Sequence, residues 1–403
     1  MDTLKELYKI GYGPSSSHTM GPQFASKRFL ERNEKADRFV VELYGSLALT
    51  GKGHLTDEII YQTLGRDRTE VKFRVDINYD YHPNGMKLFA YLDNKLIDEE
   101  LVFSVGGGTL KHLDEPRETS HKSYYKQRSM KEILEYCEKG KITLLEYILE
   151  CEDSDILDYI EEIVKVMFNS IERGLKKTGA LPGPLKIERR AHNIYKKYLE
   201  NKDFNSLVFA ATLAVSEENA SGGLIVTSPT CGASGVMPGV MYAYHNIYGY
   251  SIEEICKAVL VGGLIGNLVK HNASISGAEV GCQGEVGTAC SMTAAAIAYL
   301  EGGTNYHIEY AAEIALEHHL GMTCDPVLGY VQIPCIERNA LSARRAIDSA
   351  KFAILTDGKH YITLDDVVKS LKETGKDLHE NYRETSLGGL AKIKLPTYEE
   401  NEN

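Results

Sequence analysis

Apolar and polar positions divide the chain into two unlike parts. Over residues 1–110 the pattern is mixed. RFVVELYGSLAL opens on an apolar run that suits a strand. VKFRVDINY sets Val71, Phe73, Val75 and Ile77 against polar neighbours, and that period of two predicts a strand with one buried face. KLFAYLDNKLIDEELVFSV predicts two strands about a turn at Asp93-Asn94. GPQFASKRFLERN, ahead of them, has a helical pattern. Together these segments predict a small N-terminal α/β sandwich domain.

Residues 111–130, KHLDEPRETSHKSYYKQRSM, are polar, charged and poor in aliphatic side chains, the composition of a linker. The basic residues there read as solvated. From residue 131 onward the period is helical. In DILDYIEEIVKVMFNSIERGLKKTG, Ile156, Ile160, Ile163, Val164, Met167, Ile171 and Leu175 form a stripe. Ser154 or Asp155 can cap its start, and Gly179 can stop it. SLVFAATLAVSEENA, SIEEICKAVLVGGLIGNLVKH, GTACSMTAAAIAYLEGG, IEYAAEIALEHHLG, RNALSARRAIDSAKFAILTDG and TLDDVVKSLKETGKDL follow as helices. Their many Ala and Gly residues predict a dense bundle. The fold class expected is α+β, with a sandwich over 1–110, a linker over 111–130 and a larger all-helical domain over 131–403. The acidic end EENEN is expected to be disordered.

Composition narrows the function. The 403 residues are 43% hydrophobic and 25% charged, ordinary for a globular protein. A net charge of −12 argues against nucleic acid or an anionic membrane as the main partner. Asn219 to Ser251 carries no Asp, Glu, Lys or Arg and is long enough to span a bilayer. Pro229, Pro238 and six glycines interrupt it, so it reads as the buried centre of a helical domain. MDTLKELYKI lacks the apolar core of a secretory signal. Eight cysteines without a disulfide-like spacing fit a reducing cytoplasm.

Candidate chemistry gathers between Ser274 and Arg338. Cys282 stands between Gly281 and Gln283-Gly284, Cys324 precedes Asp325-Pro326, and Cys335 follows Pro334. Thiolates on turns, with no fourth to match, suit an iron–sulfur cluster with one iron left open. Three buried, inert cysteines are the alternative, because close pairs such as C-x-x-C are absent. A structural zinc site normally uses four ligands in close pairs. In GPSSSHT, Ser15, Ser16, Ser17 and Thr19 flank His18 and offer donors for a carboxylate, though a plain helix cap reads equally well. TGKGHLTD places His54 after two glycines, where backbone approaches a ligand closely. His318-His319 reads as a surface pair or as support near Cys324. FSVGGG lacks the strand–turn–helix setting of a nucleotide loop.

SGAEVGCQGEVG, MTCDP and QIPCIERNA resemble the catalytic domain of iron–sulfur-dependent L-serine dehydratases (L-serine ammonia-lyases). GPSSSHTMGP, YGSLALTGKGHLTD, HPNGM, FSVGGGTL, TGALPGPLKIERRA, SEENASGG and ETSLGGLA resemble the same family, in family order. The resemblance implies β-elimination of water from L-serine at the open iron of a [4Fe-4S] cluster, giving aminoacrylate and then pyruvate and ammonia. It implies Cys282, Cys324 and Cys335 as cluster ligands and His54 as the base. It places His18 with the departing hydroxide or the carboxylate, and Ser15, Ser16, Ser17 and Thr19 at the substrate. The site is expected where the two domains meet. The chain departs from the family in three places. Cys231 stands where relatives often have Asn, only RDRTE joins Gly65 to Val71, and no cysteine follows Cys335. L-threonine or L-cysteine as substrate, or a cluster-bearing amino-acid sensor, are the rival readings. A homodimer is the default assembly.

Overall fold

The computed structural model describes residues 1–113 and 123–393. The middle of the expected linker and the acidic end therefore lie outside the described residues. In chain order come β1 (Ile10–Tyr12), α1 (Gly21–Arg32), β2 (Arg38–Tyr44), α2 (Gly45–Thr50), α3 (Thr56–Leu64), β3 (Thr69–Arg74), β4 (Gly85–Leu92), β5 (Lys95–Ser104) and β6 (Leu110–Lys111). The helical part holds α4 (Met130–Gly140), α5 (Leu144–Cys151), α6 (Ile156–Lys176), α7 (Ala191–Asn201), α8 (Phe204–Ala220), β7 (Leu224–Val226), α9 (Val236–Ala243), α10 (Ile252–Asn272) and the single turn α11 (Gly277–Val280). It ends with α12 (Thr288–Leu300), α13 (Asn305–Glu317), α14 (Cys335–Ile354) and α15 (Leu364–Asp377). The fold is α+β, a small sheet lobe before a larger helical body.

The sheet runs β3-β2-β4-β5-β6, with β2 and β3 parallel and the other pairs antiparallel. Phe39, Val41 and Leu43 on β2 alternate inward with Met86, Leu88 and Ala90 on β4, and Phe29, Ile60 and Leu64 of α1 and α3 cover that face. The turn expected between β4 and β5 forms at Asp93 and Asn94, both in the left-handed region (φ 49° and 61°), as a tight hairpin requires. The alternation expected through Ile77 stops early. β2 ends at Tyr44, its partner Arg74 is the last residue of β3, and Val75 lies beyond the ladder at 60% exposure.

The helical part is not wholly helical. β7 pairs antiparallel with β1, so the chain's first residues join the helical body before the sheet lobe begins. Leu4, Leu7 and Tyr8 lie in the same core as α10 and α12. The α6 stripe is buried at all seven positions from Ile156 to Leu175, each worth about 1.5–3 kcal/mol relative to exposure. Asp155 is the N-cap of α6, but its carboxylate takes Lys5 Nζ at 2.6 Å instead of a helix amide. Small residues bring the helices close. A Cβ on Gly174 of α6 would lie 2.3 Å from the Ala214 carbonyl oxygen of α8, so only glycine fits that crossing. The charge-free stretch from Asn219 to Ser251 folds as β7, a buried loop and the eight-residue α9. Among the described residues no helix is long and apolar enough to cross a membrane.

Candidate active site

The loop after β1 reaches the helical body through Asn219, whose Nδ2 donates to the Pro14 carbonyl at 2.9 Å. Asn219 belongs to SEENASGG, and the rest of that motif is structural. Buried Glu218 meets Lys177 at 2.5 Å and Arg173 at 3.4 Å, and Glu217 accepts from the Arg190 amide at 2.7 Å. Ser16–Met20 is a π-helical turn leading into α1, and Gln283–Gly287 is another leading into α12. Such turns occur frequently at functional sites. These two bring the serine loop and the first cysteine loop toward each other.

His18 is fully buried, and its ring stacks on His54 with centroids 4.5 Å apart. Hydrogen-bond chemistry assigns the tautomers. Ser46 Oγ donates to the Glu384 carbonyl at 2.9 Å, so it accepts from His18 Nε2–H at 3.0 Å. His18 Nδ1 then accepts from Ser17 Oγ at 2.8 Å. His18 is neutral in this arrangement, and burial pushes its pKa down to about 4, against the pull of Glu384. His54 Nδ1 faces the Thr50 carbonyl at 2.9 Å and must donate to it. His54 Nε2 is therefore the ring nitrogen left to take up or release a proton, and it lies 3.4 Å from Glu384 Oε1. His18 Nδ1 is 3.6 Å from the same oxygen. Burial works to raise the Glu384 carboxyl, but the imidazoles of His18, His54 and His82 hold it below the usual carboxylate range.

Glu384 arrives from the far end of the chain. The Cys324 amide donates to the Tyr382 carbonyl at 2.7 Å and the Glu384 amide to the Cys324 carbonyl at 2.8 Å. This single parallel bridge, Cys324 to Arg383, fixes the carboxylate beside the second cysteine loop. Leu390 N adds a bond to Asp325 Oδ2 at 2.7 Å.

Cys282, Cys324 and Cys335 converge on one buried cavity, lined also by Pro14, Ser15, His54, Glu285 and Glu384. Gly281 allows the first cysteine turn. Its φ is 75°, and a Cβ there would meet the Met322 carbonyl oxygen at 2.6 Å. Cys335 is the first residue of α14, where the helix N-terminus favours a thiolate. Cys282 is held below the ordinary thiol range because it accepts a hydrogen bond from Cys324 and lies by the Arg338 guanidinium, both acting against burial. The bond to Cys282, with burial, pushes Cys324 well up, and burial with the Cys282 charge does the same to Cys335. Arg338 is anchored by the Thr323 carbonyl at 2.6 Å and Asp325 Oδ1 at 3.5 Å. Burial, then Glu384 and Cys282, push the Glu285 carboxyl far above its usual range.

Three soft donors on turns, with an arginine to balance their charge, fit an iron–sulfur cluster by donor chemistry. The cavity enclosed by the side chains measures about 20 Å³, close to the room one water needs.

The remaining candidates separate. Of the loop hydroxyls only Ser15 lines the cavity. Ser17 holds His18, and Thr19 Oγ1 donates to the His54 carbonyl at 2.7 Å. Ser16 is buried in the π-helical turn. Cys231 packs against Met20 with the sulfurs 3.3 Å apart, while its neighbour Gly232 faces the cavity. His319 is buried against Ala315 and Ser342. His318 lines a separate surface groove of about 1010 Å³ with Tyr310, Phe352 and Tyr361, away from the cysteines. Glu384, Glu285 and Arg338 are the site residues that sequence reasoning passes over. All three lie in motifs quoted for the resemblance, and a glutamate heading the glycine-rich ETSLGGLA is the signal that marks the first.

Comparison with known proteins shows the family. Residues 81–391 match the family model described as serine dehydratase alpha chain, and residues 3–72 match serine dehydratase beta chain. Fold and site thus define a serine dehydratase, an enzyme of the hydro-lyase class, with both parts on one polypeptide. Among its relatives, L-serine dehydratase TdcG of Escherichia coli is 39% identical over 96% of this chain and 98% of its own. The L-serine dehydratase of Streptomyces coelicolor is 40% identical, covering 96% and 97%. That of Helicobacter pylori is 39% identical, covering 97% and 98%. The chain belongs to the L-serine dehydratase family.

Proposed function

We propose that the protein eliminates water from L-serine with a [4Fe-4S] cluster held by Cys282, Cys324 and Cys335. The observation that carries the reading is that the three thiols line the same buried cavity as His54 and Glu384. A cluster with three protein ligands supplies a Lewis-acid iron with an open position for a substrate oxygen. The residues supply the remainder. Ser15 offers a donor to the substrate carboxylate. His54 Nε2, the ring nitrogen not held by the Thr50 carbonyl, takes the α proton, and the imidazolium so formed meets the Glu384 carboxylate. His18 stands behind His54 and acts through it, as a positioning residue. Glu285, whose burial favours the protonated carboxyl, gives a proton to the departing hydroxide. Aminoacrylate released from the site tautomerises and hydrolyses to pyruvate and ammonia. The reading includes a cytoplasmic location, and a two-fold dimer on symmetry grounds alone.

The test is pyruvate formation from L-serine by protein purified and loaded with iron and sulfide without oxygen. Activity is expected to fall in air and to recover with ferrous iron and thiol, because an iron without a protein thiolate is the easiest to lose. Full activity in a colourless, iron-free preparation overturns the cluster reading.

A further inference from the structure

L-Serine presents three polar groups to this cavity, a carboxylate, a hydroxyl and an α-ammonium. The reading above gives partners to the first two. An ammonium in a buried site needs an acceptor, and an anionic one is strongest. Two carboxyl groups line the cavity, Glu285 and Glu384. Glu285 stands on the thiol side, with a carboxyl oxygen within 4.8 Å of the Cys282 and Cys324 sulfurs. Glu384 is different. Its side chain is 7% exposed, its Oε1 faces the two imidazoles, and its Oε2 is buried with no hydrogen-bond partner. A buried carboxylate oxygen without a donor is costly in a native protein and marks a place where a ligand donor belongs. The residue is also held in the left-handed region at φ 57°, a strained setting for a glutamate, by the bridge to Cys324.

We infer that Glu384 is the specificity-determining residue that binds the α-ammonium of the substrate, Oε2 taking the ammonium while Oε1 faces His54. This rests on the proposed reaction and goes beyond it. It also gives a reason for the placement of the base. The α carbon is one bond from the ammonium nitrogen, and His54 Nε2 is 3.4 Å from Oε1, so an ammonium docked on Glu384 brings the α hydrogen beside that ring nitrogen. A neutral hydroxy acid of the same shape lacks that contact.

The experiment compares L-alanine with L-lactate, which differ only in ammonium against hydroxyl and lack the leaving group, so neither is turned over. Calorimetric binding to the cluster-loaded enzyme is expected to favour L-alanine by about 10- to 100-fold, the usual range for a charge-assisted hydrogen bond. Glu384→Gln is expected to bring the ratio to within a few-fold of one. A purely positioning role lowers serine turnover in that variant while leaving the ratio unchanged, and that result overturns the inference. Wild-type enzyme that binds L-lactate as tightly as L-alanine overturns it as well, with no variant needed. Enzyme that turns over L-serine yet shows no preference defeats this inference alone, whereas enzyme that makes no pyruvate defeats the proposed reaction.

Discussion

Replacing Cys282, Cys324 or Cys335 by alanine, one at a time, is expected to remove iron, sulfide, visible absorption and serine turnover together. The expected loss of kcat/KM is about 10³-fold or more, since Lewis-acid polarisation contributes several kcal/mol to a barrier. Each thiol is needed because none of the remaining cysteines can take its place. Cys290 points to the Ser342 carbonyl at 3.3 Å, and Cys231 is against Met20. The others, Cys137, Cys151 and Cys256, do not line the cavity. Alanine at Cys231 or Cys290 is therefore expected to leave iron content intact, and those two variants are the controls. Iron and sulfide analysis beside pyruvate release checks the result. A Cys282→Ala protein that keeps both its iron and its activity overturns the ligand assignment.

His54→Ala is expected to lower kcat by about 10²–10⁴-fold, the usual size of a general-base contribution. The α proton of an amino acid is very weakly acidic, so its removal needs a base with a free lone pair in the cavity. Of the two histidines His54 meets that description, because both ring nitrogens of His18 are engaged by Ser17 and Ser46. Deuterium incorporation into recovered serine in D₂O separates the two. Exchange and pyruvate release fall together in the His54 variant. In His18→Ala some exchange survives, because the base remains although its backing ring is gone. Exchange that persists without His54 and vanishes without His18 reverses the assignment.

Local order in the sequence carries local structure well. The α6 stripe, the hairpin at Asp93-Asn94 and the helix over Gly21–Arg32 follow from period and turn chemistry. Val75 misleads because the end of β3 is set by where its partner β2 stops, which no pattern within β3 records. The pairing of β1 with β7 is invisible for the same reason. In the site, the cysteine turns and both histidines are marked by their glycine and proline neighbours. Their ranking is not. His54 faces the cavity and His18 stands behind it through contacts to Ser46 and Thr50, one helix on from the serine loop. Glu384 is harder still, since its partners lie at the opposite end of the chain and only the bridge at Cys324 brings it home.

The order of strands in the sheet has a further consequence. The two family matches end at residue 72 and begin at residue 81, so their boundary falls in the passage from β3 to β4. β4 does not lie beside β3. It pairs with β2 through six residue positions, from Arg38 opposite Tyr91 to Leu43 opposite Met86. A nick in that passage would separate the histidines from the thiols in covalent terms while leaving them in one ladder of backbone hydrogen bonds. Two fragments divided there are therefore expected to stay associated through the β2–β4 ladder, which co-purification after cleavage in that passage checks.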